Sequence, residues 1–320
     1  MTNPLGRAGS LGTQVALAPF RVLGSIAEPR RAGIRRDMRR VLGVTAEPES
    51  PVMDPERSFL HPRAVARRVH ADLPAMLIGG LSALMLQTLN PLAMAGVAEH
   101  SNYKEDATGR LRRTASFVAA TTYGTVDQAR DAIEQVQRVH RKVRGVAPDG
   151  RRYAADDPDL VTWIHVAEVS SLLHAAQRYG PLRFSRADCD RYYEETAGVA
   201  LALGADWVPR SVDEVTAYLG RVRPELYAGP QALAARDFLM RGVGRRAEDR
   251  AVYAVMVGAA VSLLPPWARA ELAVPNPPLF DRVVSVPLGH ALCAGLRWAV
   301  GGPGAPRPFE TGPGDDGPRP

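Results

Sequence analysis

Cysteine is nearly absent from this 320-residue chain, which holds only Cys189 and Cys293. Neither lies in a C-x-x-C pair or a zinc-like spacing. That excludes a disulfide scaffold and a cysteine-based metal centre, and makes a reducing compartment the default. Lysine is equally scarce: among 40 basic residues only Lys104 and Lys142 are lysine. The bias fits a GC-rich genome, so abundant arginine is not by itself a nucleic-acid signature. Aromatic residues make up only 6% of the chain, and no aromatic–basic platform for nucleic acid is visible. Also missing are G-x-x-x-x-G-K-[ST], G-x-G-x-x-G after a strand, H-E-x-x-H and G-x-S-x-G, which removes the commonest nucleotide, zinc and serine-hydrolase chemistries. The N-terminus lacks the basic start, apolar stretch and small-residue cleavage site of a signal peptide, so a cytoplasmic location is expected. Period-2 alternation is almost absent, and no internal repeat is found.

What is present is an ordinary globular composition, 46% hydrophobic and 23% charged, long enough to bury a sizeable core. The net charge of +6 is unevenly placed. Through Thr45, eight arginines face only Glu28 and Asp37, so this segment carries the whole excess and the remainder is neutral. From Pro29 to Val41 the arginines surround a thin apolar stripe of Ile34, Met38 and Val41. It reads as a solvated helix clasping the main body, with peripheral contact to an anionic membrane as the alternative. Gly304–Pro320 is a Gly/Pro tail with little to bury and reads as disordered.

Between these ends the chain reads as helix after helix. Ala75–Ala98 is nearly all apolar, but Gln87, Asn90 and Pro91 inside it favour a buried, kinked core helix over a membrane span. Arg110–Tyr123 forms a helix stopped by Gly124. Thr125-Val126-Asp127-Gln128 is a capping box opening a helix predicted to run to Arg144, closed by Gly145. Asp157 and Pro158 are the N-cap and first residue of the next helix, and Ser211–Glu214 forms another capping box. Further helices are predicted near Arg186–Leu203, Ala232–Arg241, Ala247–Leu264 and Val284–Val300.

Chemistry-bearing residues appear on two apolar helical faces. Ile133, Val136, His140 and Val143 share one face, with Arg144 expected one turn further along the same side. Val161, His165, Val169 and Leu172 share another. A lone core histidine is commonly structural, bonded to backbone. The pair His165-x-x-Glu168 occurs once, too little for a di-iron carboxylate bundle. Arg110, Arg113 and Thr114 lie on one face beside Phe117 and Val118. Arginine near a helix N-terminus opposes the macrodipole unless an anion compensates. An apolar cavity with an inward histidine and rim arginines is what haem binding needs, the imidazole on iron and the guanidiniums on propionates.

Several blocks occur in an order that resembles the MpaB-type and latex-clearing-protein oxygenases, a haem-b family widespread in actinobacteria. They are Ala83–Gln87 with Asn90-Pro91, Ala95–Ser101, Arg110–Thr114, Val139–Gly145, Asp156–Pro158 with Trp163–His165, and Leu263–Trp267. The resemblance spans Ser58 to Val300. It implies an all-α fold, a single helical domain with a globin-like haem core over 58–300, flanked by a basic segment 1–57 and a tail 301–320. It further implies that His140 is the proximal iron ligand, and that Arg110, Arg144 and His165 bind the cofactor. The family's distal Arg-x-x-Lys-Thr pattern reads Arg110-x-x-Arg113-Thr114 here. A guanidinium stays protonated and is a poor ligand, so the sixth position is expected to be open or to hold water under Arg113. Asn90 replaces a histidine found before the proline in many relatives. Arg113, Thr114 and Glu99 form the catalytic set that the resemblance suggests. The implied activity is haem-b-dependent oxygenation or oxidative cleavage of a hydrophobic, isoprenoid-type substrate with O2. The rival readings are a non-catalytic helical lipid or haem binder, and a nucleic-acid binder, which the neutral body disfavours.

Overall fold

The computed structural model describes residues 51–242, 247–274 and 277–300, together with Ala32 and Gly33. Apart from those two residues, the basic stretch Pro29–Val41 lies outside the described part, as does the tail Gly304–Pro320. The fold is a single, mostly all-α domain. Its helices are α1 (Val65–His70), α2 (Leu73–Gln87), α3 (Pro91–His100), α4 (Ala107–Tyr123) and α5 (Val126–His140). Then come α6 (Pro158–Tyr179), α7 (Arg186–Leu203), α8 (Val212–Val222), α9 (Pro230–Arg241), α10 (Ala247–Leu263) and α11 (Pro266–Glu271). A helical turn at Pro278–Phe280 and a π-helical stretch at Asp281–Ser285 lead into α12 (Val286–Val300). Among the described residues the strands are β1 (Arg144–Val146) and β2 (Arg152–Ala154), an antiparallel hairpin pairing Gly145 with Tyr153.

The apolar run at Ala75–Ala98 is two helices, not one kinked helix: α2 and α3 are bent by 104°. Asn90 causes the break. Its Oδ1 accepts from the backbone N–H groups of Leu92 and Ala93, both at 3.0 Å, making it the N-cap of α3 with Pro91 at N1. The C-terminal end of α2 is sealed by α6, whose Trp163 Nε1 donates to the Gln87 carbonyl at 3.3 Å, while Gln87 Nε2 donates to the Ile164 carbonyl. Helices α2 and α6 form the spine of the core. Ile78, Met85, Leu89, Trp163, Val166, Leu173 and Tyr179 are fully buried there. Each such side chain contributes roughly 1.5–3 kcal/mol of transfer free energy. Gly79 permits the close approach, since a Cβ there would lie 2.9 Å from Ala175 Cβ.

The α4–α5 hairpin follows the sequence signals closely. Asp106 caps α4, Gly124 ends it, and both halves of the Thr125–Gln128 box are formed. Helix α5, however, stops at His140, and Arg144 begins a strand. The reason lies across the hairpin: a Cβ on Gly145 would sit 2.5 Å from the Tyr153 hydroxyl oxygen. Gly145 therefore serves strand pairing over Tyr153, rather than terminating a helix. Ser211 caps α8, but Glu214 turns to the Arg210 N–H at 2.7 Å, so that box is only half formed. Ser185 and Asp188 form a complete box at the start of α7 that the sequence reading passed over.

The C-terminal run closes the fold through Arg297, which makes two 2.7 Å bonds to the Asp72 carboxylate at the start of α2. Its outer face stays apolar and exposed, with Leu279 at 72% and Val283 at 61%. The run Pro278–Ala299 is long and apolar enough to cross a membrane, although 17% of it is buried in the domain.

Candidate active site

The C-terminal end of α3, the start of α4 and the β-hairpin meet in one polar cluster. Tyr153 donates its hydroxyl to Glu99 and also lies 3.1 Å from His100 Nε2. Burial first, then the Glu99 carboxylate, push the Tyr153 hydroxyl up to about 12, so it remains a donor. Glu99 is thus exposed and engaged in holding the hairpin. Next to it, Ser101 Oγ accepts from Arg110 Nη1 at 2.9 Å. Burial, and then the charge of Arg113, hold the Arg110 guanidinium below its ordinary value. Arg113 and Thr114 are exposed, and Arg113 reaches Asp106 at 3.2 Å. Asp106 also accepts from the Gly109 N–H as the cap of α4. The anion that offsets the basic helix start therefore comes, for Arg113, from within the chain.

His140 ends α5. Its ring is half-buried, and its enclosed Nδ1 has no hydrogen-bond partner among the described residues. Burial lowers its pKa, opposed by nearby Asp156, so the imidazole is neutral at physiological pH. Asp156 in turn takes Arg144 Nη2 at 2.6 Å, while Arg144 Nε donates to the Arg141 carbonyl. Because α5 has already ended, Arg144 is an exposed strand residue and does not continue the helical face of His140.

A second group of residues lines a partly open cavity of about 40 Å³ between α1, α4, α6 and α7. Leu60, Phe117, Val118, Val169, Leu172 and Val199 give it apolar walls. His165 and Glu168 line it from α6, and His70 from α1. His70 bridges Thr122 Oγ1 at 2.9 Å and the Tyr192 hydroxyl at 3.0 Å. Desolvation lowers both His70 and His165 to about 4, leaving them neutral, and raises Glu168 to about 7. His165 is 9% exposed and its buried Nε2 has no partner. A larger cleft of about 420 Å³ opens beside Leu263–Pro266, Arg178 and Arg269, lined by none of the site residues anticipated above. Among the described residues no three His, Cys, Asp or Glu side chains are arranged to hold a metal ion.

The order of blocks and the helical architecture fit a class of helical oxygenases. A model of the family described as ER-bound oxygenase mpaB/B'/rubber oxygenase, catalytic domain, matches residues 67–298, and the chain belongs to that family. No curated protein and no solved structure gives a significant match. The match makes this an oxygenase-family catalytic domain, an oxidoreductase class that uses O2 and a small-molecule substrate.

The structure brings Glu99, Arg110 and the hairpin carrying Arg144 into one neighbourhood, whereas His165 lines the separate cavity. The sequence reading did not single out His70, Tyr192 or Arg67. Arg67 is fully buried in α1, donating Nη1 to the Val52 carbonyl at 2.7 Å, with Nε and Nη2 unpartnered. Its position next to α1's buried valines carries a faint signal, because arginine interrupting an apolar face is unusual unless a partner awaits it.

Proposed function

We propose that this chain is a haem-b-dependent oxygenase that uses O2 to oxygenate or cleave a hydrophobic, isoprenoid-type substrate. The observation that carries the reading, beside family membership, is the enclosed and unpartnered Nδ1 of a neutral His140. A buried polar atom without a partner is costly, and an imidazole kept neutral by desolvation suits iron ligation. Arg110, whose side chain bonds only the Ser101 hydroxyl among the described residues, suits a propionate. Arg113 is paired with Asp106, so it fits a role next to the distal face rather than as a ligand. Cofactor pockets usually measure about 300–1,000 Å³. The cavity of about 40 Å³ beside His165 is far smaller and His140 does not line it, so as folded here it is not the macrocycle's seat. When bound, haem supplies the O2 activation that no side chain offers. Within the same reading, the exposed apolar run Pro278–Ala299 is a better candidate than residues 29–41 for contact with a membrane holding such a substrate.

An absorption spectrum of protein expressed with added haem tests this. A Soret band is expected, lost or strongly shifted in His140→Ala. Absence of haem would sink the cofactor assignment, and a band unchanged in the variant would sink the ligand assignment. Haem retained without O2 consumption on prenylated lipids would leave a binding protein and no oxygenase.

A further inference from the structure

Two polar side chains on one face of α6 border the same small cavity without a hydrogen-bond partner among the described residues. Glu168 lines it and makes no hydrogen bond among the described residues, while His165, 9% exposed, leaves its buried Nε2 unpaired. The other polar groups around the cavity are satisfied. Thr121 and Thr196 donate to carbonyls of their own helices, both at 2.9 Å, and His70 is bridged between Thr122 and Tyr192. The remaining walls are apolar, contributed by four separate segments of the chain. An unsatisfied buried polar group costs about 1–3 kcal/mol, and such a nitrogen beside a carboxylate that makes no hydrogen bond, on one wall of an otherwise apolar cavity, forms half of a ligand site.

We propose that this cavity receives the oxygenated end, a hydroxyl or carbonyl, of an otherwise apolar chain, with Glu168 and His165 as its hydrogen-bond partners. The volume of about 40 Å³ suits a terminal group of a few heavy atoms, not a whole lipid, so the hydrocarbon body runs outward past Phe117 and Val118. The substrate class that follows is a prenyl-type alcohol or aldehyde rather than a plain hydrocarbon. Glu168 fits both forms. As a carboxylic acid it donates to a carbonyl or a hydroxyl oxygen, and as a carboxylate it accepts from a hydroxyl. Burial raising Glu168 to about 7 keeps both states accessible near neutrality. The titratable groups packed around it are His165 on α6, His70 on α1 and Tyr192 on α7, and the first two are neutral there.

The assignment rests on the apolar-substrate reading above, but its test needs no turnover. Binding of a short prenyl alcohol and of the matching prenyl hydrocarbon to the full chain is measured by calorimetry. The alcohol is expected to bind about 10- to 100-fold more tightly, as one or two satisfied polar groups imply. Glu168→Gln, which keeps a donor and an acceptor, should retain most of that preference, and Glu168→Leu should erase it. Equal binding of alcohol and hydrocarbon by the wild type would overturn the proposal without any variant. So would a preference that survives Glu168→Leu. A preserved alcohol preference in a protein that takes up no haem would leave this site standing and remove the oxygenase reading. Haem-dependent turnover of hydrocarbons with no alcohol preference would do the reverse.

Discussion

Adjacent glycines in α2 should respond in opposite senses to the same substitution. A Cβ at Gly79 would lie 2.9 Å from Ala175 Cβ and 3.1 Å from both Leu172 Cα and the Ser171 carbonyl oxygen, whereas one at Gly80 would meet nothing within 4 Å. Both positions are helical, so alanine gains up to about 1 kcal/mol of backbone propensity at each. At Gly80 nothing opposes that gain, and Gly80→Ala should stabilise by about 0.5–1 kcal/mol. At Gly79 two of the three obstructing atoms are backbone, which cannot swing aside. Helices α2 and α6 must separate along the buried spine, and overpacking of this kind costs about 1–3 kcal/mol. The neighbouring contacts of Ile78 and Leu173 loosen as well. Gly79→Ala should therefore be net destabilising by about 1–2 kcal/mol. Thermal unfolding reads this as a fall of roughly 2–6 °C, against a small rise for Gly80→Ala. If Gly79→Ala melted at or above the wild type, the inferred closeness of α2 and α6 would be wrong.

Three further outcomes are expected. Arg297→Ala removes a part-buried bidentate pair with Asp72 and a bond to the Tyr179 carbonyl, and should cost about 2–4 kcal/mol in urea unfolding. Arg297→Lys should recover under half of that, because an ammonium cannot match the fork. Glu168 holds its proton to about 7 in the fold but to only 4.5 in a model peptide, so the folded state binds more protons between these values and stability falls as pH rises through them. Glu168→Gln should then stabilise at pH 8, by up to about 3 kcal/mol, with the gain gone below pH 4.5. Denaturation midpoints at the two pH values decide it. His70 and His165 act at the acid side: their values near 4, below the ordinary 6.5, mean that stability is lost as pH falls from 6.5 toward 4. A double His70→Gln, His165→Gln variant should show a flatter acid limb.

The helix inventory was largely legible because its boundaries are local chemistry. Thr125 with Gln128, Asp157 with Pro158 and the stop at Gly124 were each readable from neighbouring residues. Where the reading failed, a distant residue decided. Gly145 looked like a helix terminator until Tyr153, folding back from β2, showed it to be a strand residue. That shift detached Arg144 from the His140 face and gave it to Asp156. The arginine cluster on α4 seemed to demand an outside anion. Asp106 is close by in sequence, but only its cap geometry shows that it serves Arg113 as well.

The sequence by itself determined the all-α class, the capped helices and, through the order of its blocks, the oxygenase family, because caps, periodicity and motif order depend on residues near one another in the chain. Tertiary structure alone decided that Glu99 braces Tyr153, and that Glu168 and His165 share a cavity with His70 while His140 lies apart from its walls. Those facts depend on desolvation and on which groups from distant segments are left without partners. Burial of that kind is a property of packing, and a one-dimensional pattern cannot express it.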